Sequence, residues 1–149
     1  MTKKEILKFM DAQAILILTT MNGGMPETRA LINIRNTGIA PHLKDYFAKN
    51  DRMLFITNTS TDKIKQIRAN PTAAIYAYSN DFSGLLLNGK ITEITDSETI
   101  DSLWDDSWTH YYPDGKDGGD FSVLEFTPET FKSYSGKDFS KDSGKVKRS

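Results

Sequence analysis

Residues 55–71, FITNTSTDKIKQIRANP, set five hydroxyl or amide side chains (Thr57, Asn58, Thr59, Ser60 and Thr61) and then Lys63 where an apolar run gives way to a helical pattern. A helix start leaves backbone N–H groups unpaired and carries partial positive charge. Hydroxyls and amides at that point suit an anion, phosphate above all. Lys63 falls in the first turn of the predicted helix, where a cation is locally unfavourable unless an anion offsets it. Arg29, the lone cation of the strand-like stretch PETRALINI, is the candidate second charge. The same residues also fit a plainer arrangement, in which Ser, Thr or Asp62 caps an ordinary helix and Arg29 faces solvent. Neither G-x-x-x-x-G-K-[ST] nor G-x-G-x-x-G occurs, so a phosphate site here would differ from the commonest nucleotide loops.

The composition narrows the remaining chemistry. The 149 residues contain no cysteine and only two histidines, His42 and His110. Disulfides, thiolate ligands and a cysteine nucleophile are excluded, and two distant imidazoles give weak support for a metal, so no metal is expected. A formal net charge of −1 argues against a broad phosphate-backbone footprint, and no nucleic-acid partner is expected. The N-terminus MTKKEILKFMDAQ lacks a secretory core, and no apolar run reaches the roughly 20 residues that span a bilayer. The expectation is a cytoplasmic protein with no membrane partner. No spacing of Ser, His, Asp or Glu suggests a triad or a carboxylate pair, so no catalytic residue is assigned.

These side chains need elements to hold them. Thr2 and Glu5 ahead of Ile6, Leu7, Phe9 and Met10 predict a capped helix. AILILTT, residues 14–20, reads as a strand buried on both faces; NGG at 22–24 is a hairpin turn and PETRALINI its partner strand. An excursion follows, with a helical turn or two around residues 43–49. Strands are predicted at 53–58, 72–79 and 85–95, with a short helix at 61–69. A helix capped by Asp96 or Ser97 comes next, then the strand FSVLEFT and a last short strand or turn in ETFKSYS. Short strands with few helices predict a mainly β fold, a small β-barrel with peripheral helices. It would form a single domain over residues 1–135, followed by a flexible tail at 136–149 that is poor in apolar residues.

The order of a hairpin, an R-A-L strand, a strand ending F-I-T-N, a Thr-x-Lys helix start, N-P-T-A-A-I-Y and N-G-K-I resembles the pyridoxamine 5′-phosphate oxidase-like flavoproteins. LWDDSWTHYYPDGKDGGDFSVLEFTPETFKSY is similar to the general stress protein 26 branch. The likeness runs from about Ala14 to Tyr134. It implies an FMN-binding split β-barrel, normally a homodimer, acting as an FMN-dependent oxidoreductase on an unidentified small molecule. A flavin-binding protein without turnover, a carrier or a stress-response binder, is the alternative. The resemblance also implies site residues. Arg29, Thr61 and Lys63 would hold the FMN phosphate. Ala30, Leu31 and Ile32 would line the ring and ribityl chain, and Ile56 and Thr57 would touch the cofactor at the strand end. The segment with Trp104, Trp108, Tyr111 and Tyr112 would help to cover the flavin, with Trp108 and Tyr112 as the contacts and core packing as the competing role for the tryptophans. Against the family pattern, Asp62 stands where the authentic oxidase has a basic ligand, Ile34 replaces a lysine, and Ser135 sits where this branch often has tryptophan. No counterpart of the oxidase's C-terminal substrate-binding Arg and His is present. A true pyridoxamine phosphate oxidase is therefore not expected.

Overall fold

The computed structural model describes residues 1–148. Its helices are α1 (Lys3–Asp11), α2 (Lys44–Lys49), α3 (Asp62–Ala69) and α4 (Ser97–Leu103). Its strands are β1 (Ile15–Asn22), β2 (Met25–Ile32), β3 (Met53–Asn58), β4 (Thr72–Tyr78), β5 (Gly84–Ile94), β6 (Phe121–Tyr134) and β7 (Lys141–Lys145). One antiparallel sheet runs β2-β1-β4-β5-β6-β3, with β7 also paired to β6. The mainly β fold expected from the sequence is the one observed.

Local chemistry accounts for the joints. Thr2 and Glu5 form a reciprocal capping box on α1, and Asp96 caps α4 through the Thr99 N–H. Gly23, at φ 59°, makes the two-residue turn that pairs Asn22 with Met25 and so fixes the β1–β2 register. β6 is one continuous strand where a strand and a separate short strand or turn were expected. Pro128 interrupts its pattern, but the ladder shifts register at Asn88/Gly89, and Gly89 lies so close to Thr127 that a Cβ there would come within 2.1 Å of its carbonyl oxygen. The irregularity absorbs the proline without ending the strand.

Two apolar clusters lie on either side of β3. Met53 and Phe55 join the barrel interior with Leu16, Leu18, Ile75, Leu87 and Phe126, closed by Ile6, Met10 and Ile64 from α1 and α3. Leu54 and Ile56 face a second cluster with Ile34, Leu43, Leu103, Trp108, Tyr112 and Phe121. β3 is therefore buried on both faces, as is the start of β6. β1 departs from that expectation, because Leu16, Leu18 and Thr20 point inward while Ile15, at 47% exposure, does not. Its unbroken apolar run reflects an outer face that is itself apolar. The segment expected as a flexible tail contributes β7, an exposed strand on the edge of β6. Backbone pairing needs no apolar side chains, so composition did not signal it; residue 149 of that segment lies outside the described residues.

Candidate functional site

The loop between β3 and α3 is fastened to the start of β6. Asp120 accepts from Asn58 Nδ2 at 2.7 Å and from the Ser60 N–H at 3.0 Å, and the Thr59 and Ser122 hydroxyls hydrogen-bond. Asn58, Thr59 and Ser60 therefore hold the loop, while Thr57 and Thr61 face Lys63. Lys63 Nζ donates to Thr57 Oγ1 at 2.8 Å and to Thr61 Oγ1 at 3.2 Å. Thr61 occupies the cap position of α3, yet its hydroxyl donates backwards to the Asn58 carbonyl, 2.8 Å away, and among the described residues no side chain caps this helix. The plainer arrangement, an ordinary capped helix, is not what forms.

Arg29 reaches the same place from β2, and its side chain is only 22% exposed. Nη1 donates to Thr20 Oγ1 at 2.6 Å and to the Glu27 carbonyl at 3.0 Å, and Nη2 donates to Gln66 Oε1 at 3.1 Å. Glu27, Thr28, Arg29, Thr61, Asp62 and Lys63 line an open pocket of about 460 Å³. β2 and β3 are at opposite ends of the hydrogen-bonded strand order, and the pocket lies between β2 and the start of α3, the helix that follows β3.

Burial, and then the charge of Arg29, hold the Lys63 ammonium below the ordinary lysine range. Burial likewise lowers Arg29, with Glu27 partly opposing it. Two half-buried cations that disfavour each other, with hydroxyls beside them, are a donor set suited to a phosphate. Glu27 adds a carboxylate whose pKa is lowered by hydrogen bonds from Asn22 and Gln66, and Asp62 adds another, so the pocket is not uniformly basic.

The other sequence-selected residues are dispersed. Ala30 and Ile32 lie on the opposite face of β2 from Arg29, in the open, while Leu31 and Ile56 are buried. Trp108 and Tyr112 are 9% and 5% exposed and sit in the second apolar cluster. There the Trp104–Phe121 and Tyr112–Phe121 ring centroids are 5.1 and 4.9 Å apart, edge to face. Within one chain they pack a core away from the cationic pocket. Sequence reasoning missed Thr20, Glu27 and Gln66. The hairpin register supplies the signal: with the turn at Gly23, Thr20 faces Glu27 and Leu18 faces Arg29, and Gln66 follows Lys63 by one helical turn. On the outer face of β2, β1 and β4, Ile32 pairs with Ile15, Ala30 with Ile17 and Ile17 with Tyr76, leaving Ile15, Ile32, Tyr76 and Tyr78 exposed.

Residues 2–135 match the sequence profile of the family described as pyridoxamine 5′-phosphate oxidase. A search of curated proteins finds no match. Among solved structures, a Clostridium acetobutylicum protein related to general stress protein 26 is similar, with a TM-score of 0.72 and 25% identity over 97% of this chain and 94% of that one. General stress protein 26 from Bacillus anthracis superposes with a TM-score of 0.70 at 14% identity, covering 97% and 98% of the two chains. A pyridoxamine 5′-phosphate oxidase-related, FMN-binding protein from Nostoc punctiforme gives 0.62 at 18% identity, over 97% and 92%. The split-barrel fold is common to all three.

Proposed function

The chain belongs to the pyridoxamine 5′-phosphate oxidase family, and from that premise we propose that it binds FMN and works as an FMN-dependent oxidoreductase on a small molecule. The convergence of Arg29, Thr61 and Lys63 in one pocket, with Thr57 hydrogen-bonded to Lys63, carries this reading. The pocket's donors fit a phosphate monoester: Arg29, Thr61 and Lys63 would hold it, with Thr57 fixing Lys63 from behind. When bound, FMN supplies hydride or electron transfer. The chain's own part is to hold the phosphate, to orient the cofactor and to limit water around it.

The apolar outer face of β2, β1 and β4 supports a homodimer. Exposed apolar side chains arranged across several strands mark interaction sites, and Ala30 and Ile32, implied to line the flavin, lie on that face. A cofactor seated there would border both copies. The test is a visible absorption spectrum of the purified protein before and after FMN addition and desalting, alongside size-exclusion chromatography. A retained two-banded flavin spectrum on a dimer is expected. A colourless protein that fails to retain added FMN overturns the reading. Reoxidation of the bound flavin after reduction by NADH or NADPH separates an oxidoreductase from a carrier.

A further inference from the structure

Gln66 stands at the centre of a polar network that the phosphate contacts leave without a role. Its Oε1 accepts from Thr20 Oγ1 at 2.6 Å and from Arg29 Nη2 at 3.1 Å, while its Nε2 donates to Glu27 Oε2 at 2.7 Å. The residue is 7% exposed. Three elements meet at this one amide: β1 through Thr20, β2 through Glu27 and Arg29, and α3 through Gln66 itself. The two ends of the amide are not interchangeable. Turned over, it would set NH2 against a guanidinium and an oxygen against a carboxylate.

Glu27 is the group that makes this arrangement matter. It is an anion built into the wall of an anion pocket, and its natural partner is Arg29. Yet its carboxylate comes no nearer to the Arg29 guanidinium than 3.9 Å, beyond hydrogen-bond distance. Both its carboxylate oxygens are taken by amides, Oε1 by Asn22 Nδ2 at 2.8 Å and Oε2 by Gln66 Nε2 at 2.7 Å. Gln66 thus does two things with one side chain. It receives Arg29 on its oxygen, and it restrains on its nitrogen the carboxylate that would compete for Arg29.

We propose that Gln66 is a positioning residue of this pocket, keeping Glu27 off Arg29 so that the guanidinium stays available to a phosphate ligand. Without it, Glu27 closes on Arg29 and takes the donors the ligand needs. The inference rests on the phosphate reading of the pocket and adds to it a self-inhibiting contact held open.

The test is fluorescence titration of the full chain with FMN and with riboflavin, which lacks the phosphate, for wild type, Gln66→Met, Glu27→Gln and the double variant. Gln66→Met is expected to weaken FMN by about tenfold, the order of one lost charge-assisted contact, and to leave riboflavin unchanged. The double variant is expected to regain wild-type FMN binding, because the competing carboxylate is gone. A merely structural glutamine would lower both flavins together and would not be rescued. A Gln66→Met protein that keeps the wild-type FMN-to-riboflavin ratio overturns the proposal, and so does a double variant as weak as the single one. Should Gln66→Met not fold, the isosteric Gln66→Glu is expected to show the same loss, since its carboxylate would itself neutralise Arg29; an unchanged ratio there also overturns it. A wild-type protein that does not favour FMN over riboflavin is a different failure, one that removes the phosphate reading and this inference with it.

Discussion

The pocket at Arg29 and Lys63 and the ring cluster around Trp108 both attract a cofactor assignment, but the fold treats them in opposite ways. The pocket leaves charged groups half-buried and in mutual conflict, with Lys63 and Arg29 each disfavoured by burial. The ring cluster has no such conflict: Trp104, Trp108, Tyr112 and Phe121 pack ring against ring, most of them edge to face, with Trp108, Tyr112 and Phe121 buried. A region that holds two partly buried cations beside each other is where an anionic ligand has something to offer. A region already satisfied contributes stability. The two should therefore separate under mutation, one governing whether the chain folds and the other what it holds.

The largest effect belongs to the ring cluster. Trp108→Ala removes a buried indole and should cost about 3–5 kcal/mol of stability, the usual range for a large aromatic truncated in a core. Urea unfolding measures this, and at a concentration where the variant is folded its FMN-to-riboflavin preference should match wild type. FMN and riboflavin weakened together, with unchanged stability, would reverse the roles of the two regions and make Trp108 a flavin contact.

Lys63→Ala should do the opposite. Removing one charge-assisted contact costs about 1.5–3 kcal/mol of binding, roughly ten- to a hundredfold in affinity. The effect should fall on FMN and spare riboflavin. The unfolding midpoint should hold or rise slightly, because a disfavoured cation is gone from the protein. Unchanged FMN affinity would detach the pocket from the phosphate.

A third contrast is visible in alkali. Burial, and to a lesser degree the charge of Asp120, push the Tyr112 phenol from 10.0 up to about 12. Between those values the folded chain keeps a proton that the unfolded chain has released. Stability is then complete below pH 10 and falls as pH climbs toward 12. Denaturant midpoints taken just below and well above pH 10 should show this decline, and Tyr112→Phe should lessen it. An equal decline in Tyr112→Phe would mean that the phenol is not the buried group responsible.

Much of this was readable beforehand. The NGG turn set the hairpin register, the capped Thr2 start set α1, and Lys63 beside Thr57 and Thr61 marked the pocket. What escaped reading was whatever depended on the opposite side of the fold. Asn58 and Thr59 looked like phosphate ligands until Asp120 and Ser122, some sixty residues further on, accounted for them. The apolar run of β1 reads alike whether its outer face meets core or solvent. Gln66 drew no assignment because Thr20 and Glu27 had not been placed opposite it. Periodicity reports which face of an element is apolar; it does not report which polar side chains from other elements converge on it.

The smallest expected effect tests the pocket's internal conflict. Glu27→Gln keeps an oxygen that can still accept from Gln66 and removes a negative charge from beside the phosphate position. Arg29 remains held by Thr20, by Gln66 and by the carbonyl of residue 27, so its placement should survive. FMN should then bind a few-fold more tightly, and the gain should shrink as salt is raised, because the exposed carboxylate acts through a screened field. Riboflavin should not respond at all. Weaker FMN binding in Glu27→Gln would mean that the carboxylate orients Arg29 instead of competing for it, and the pocket would then be a single cooperative network in which the acid is part of the support for the phosphate.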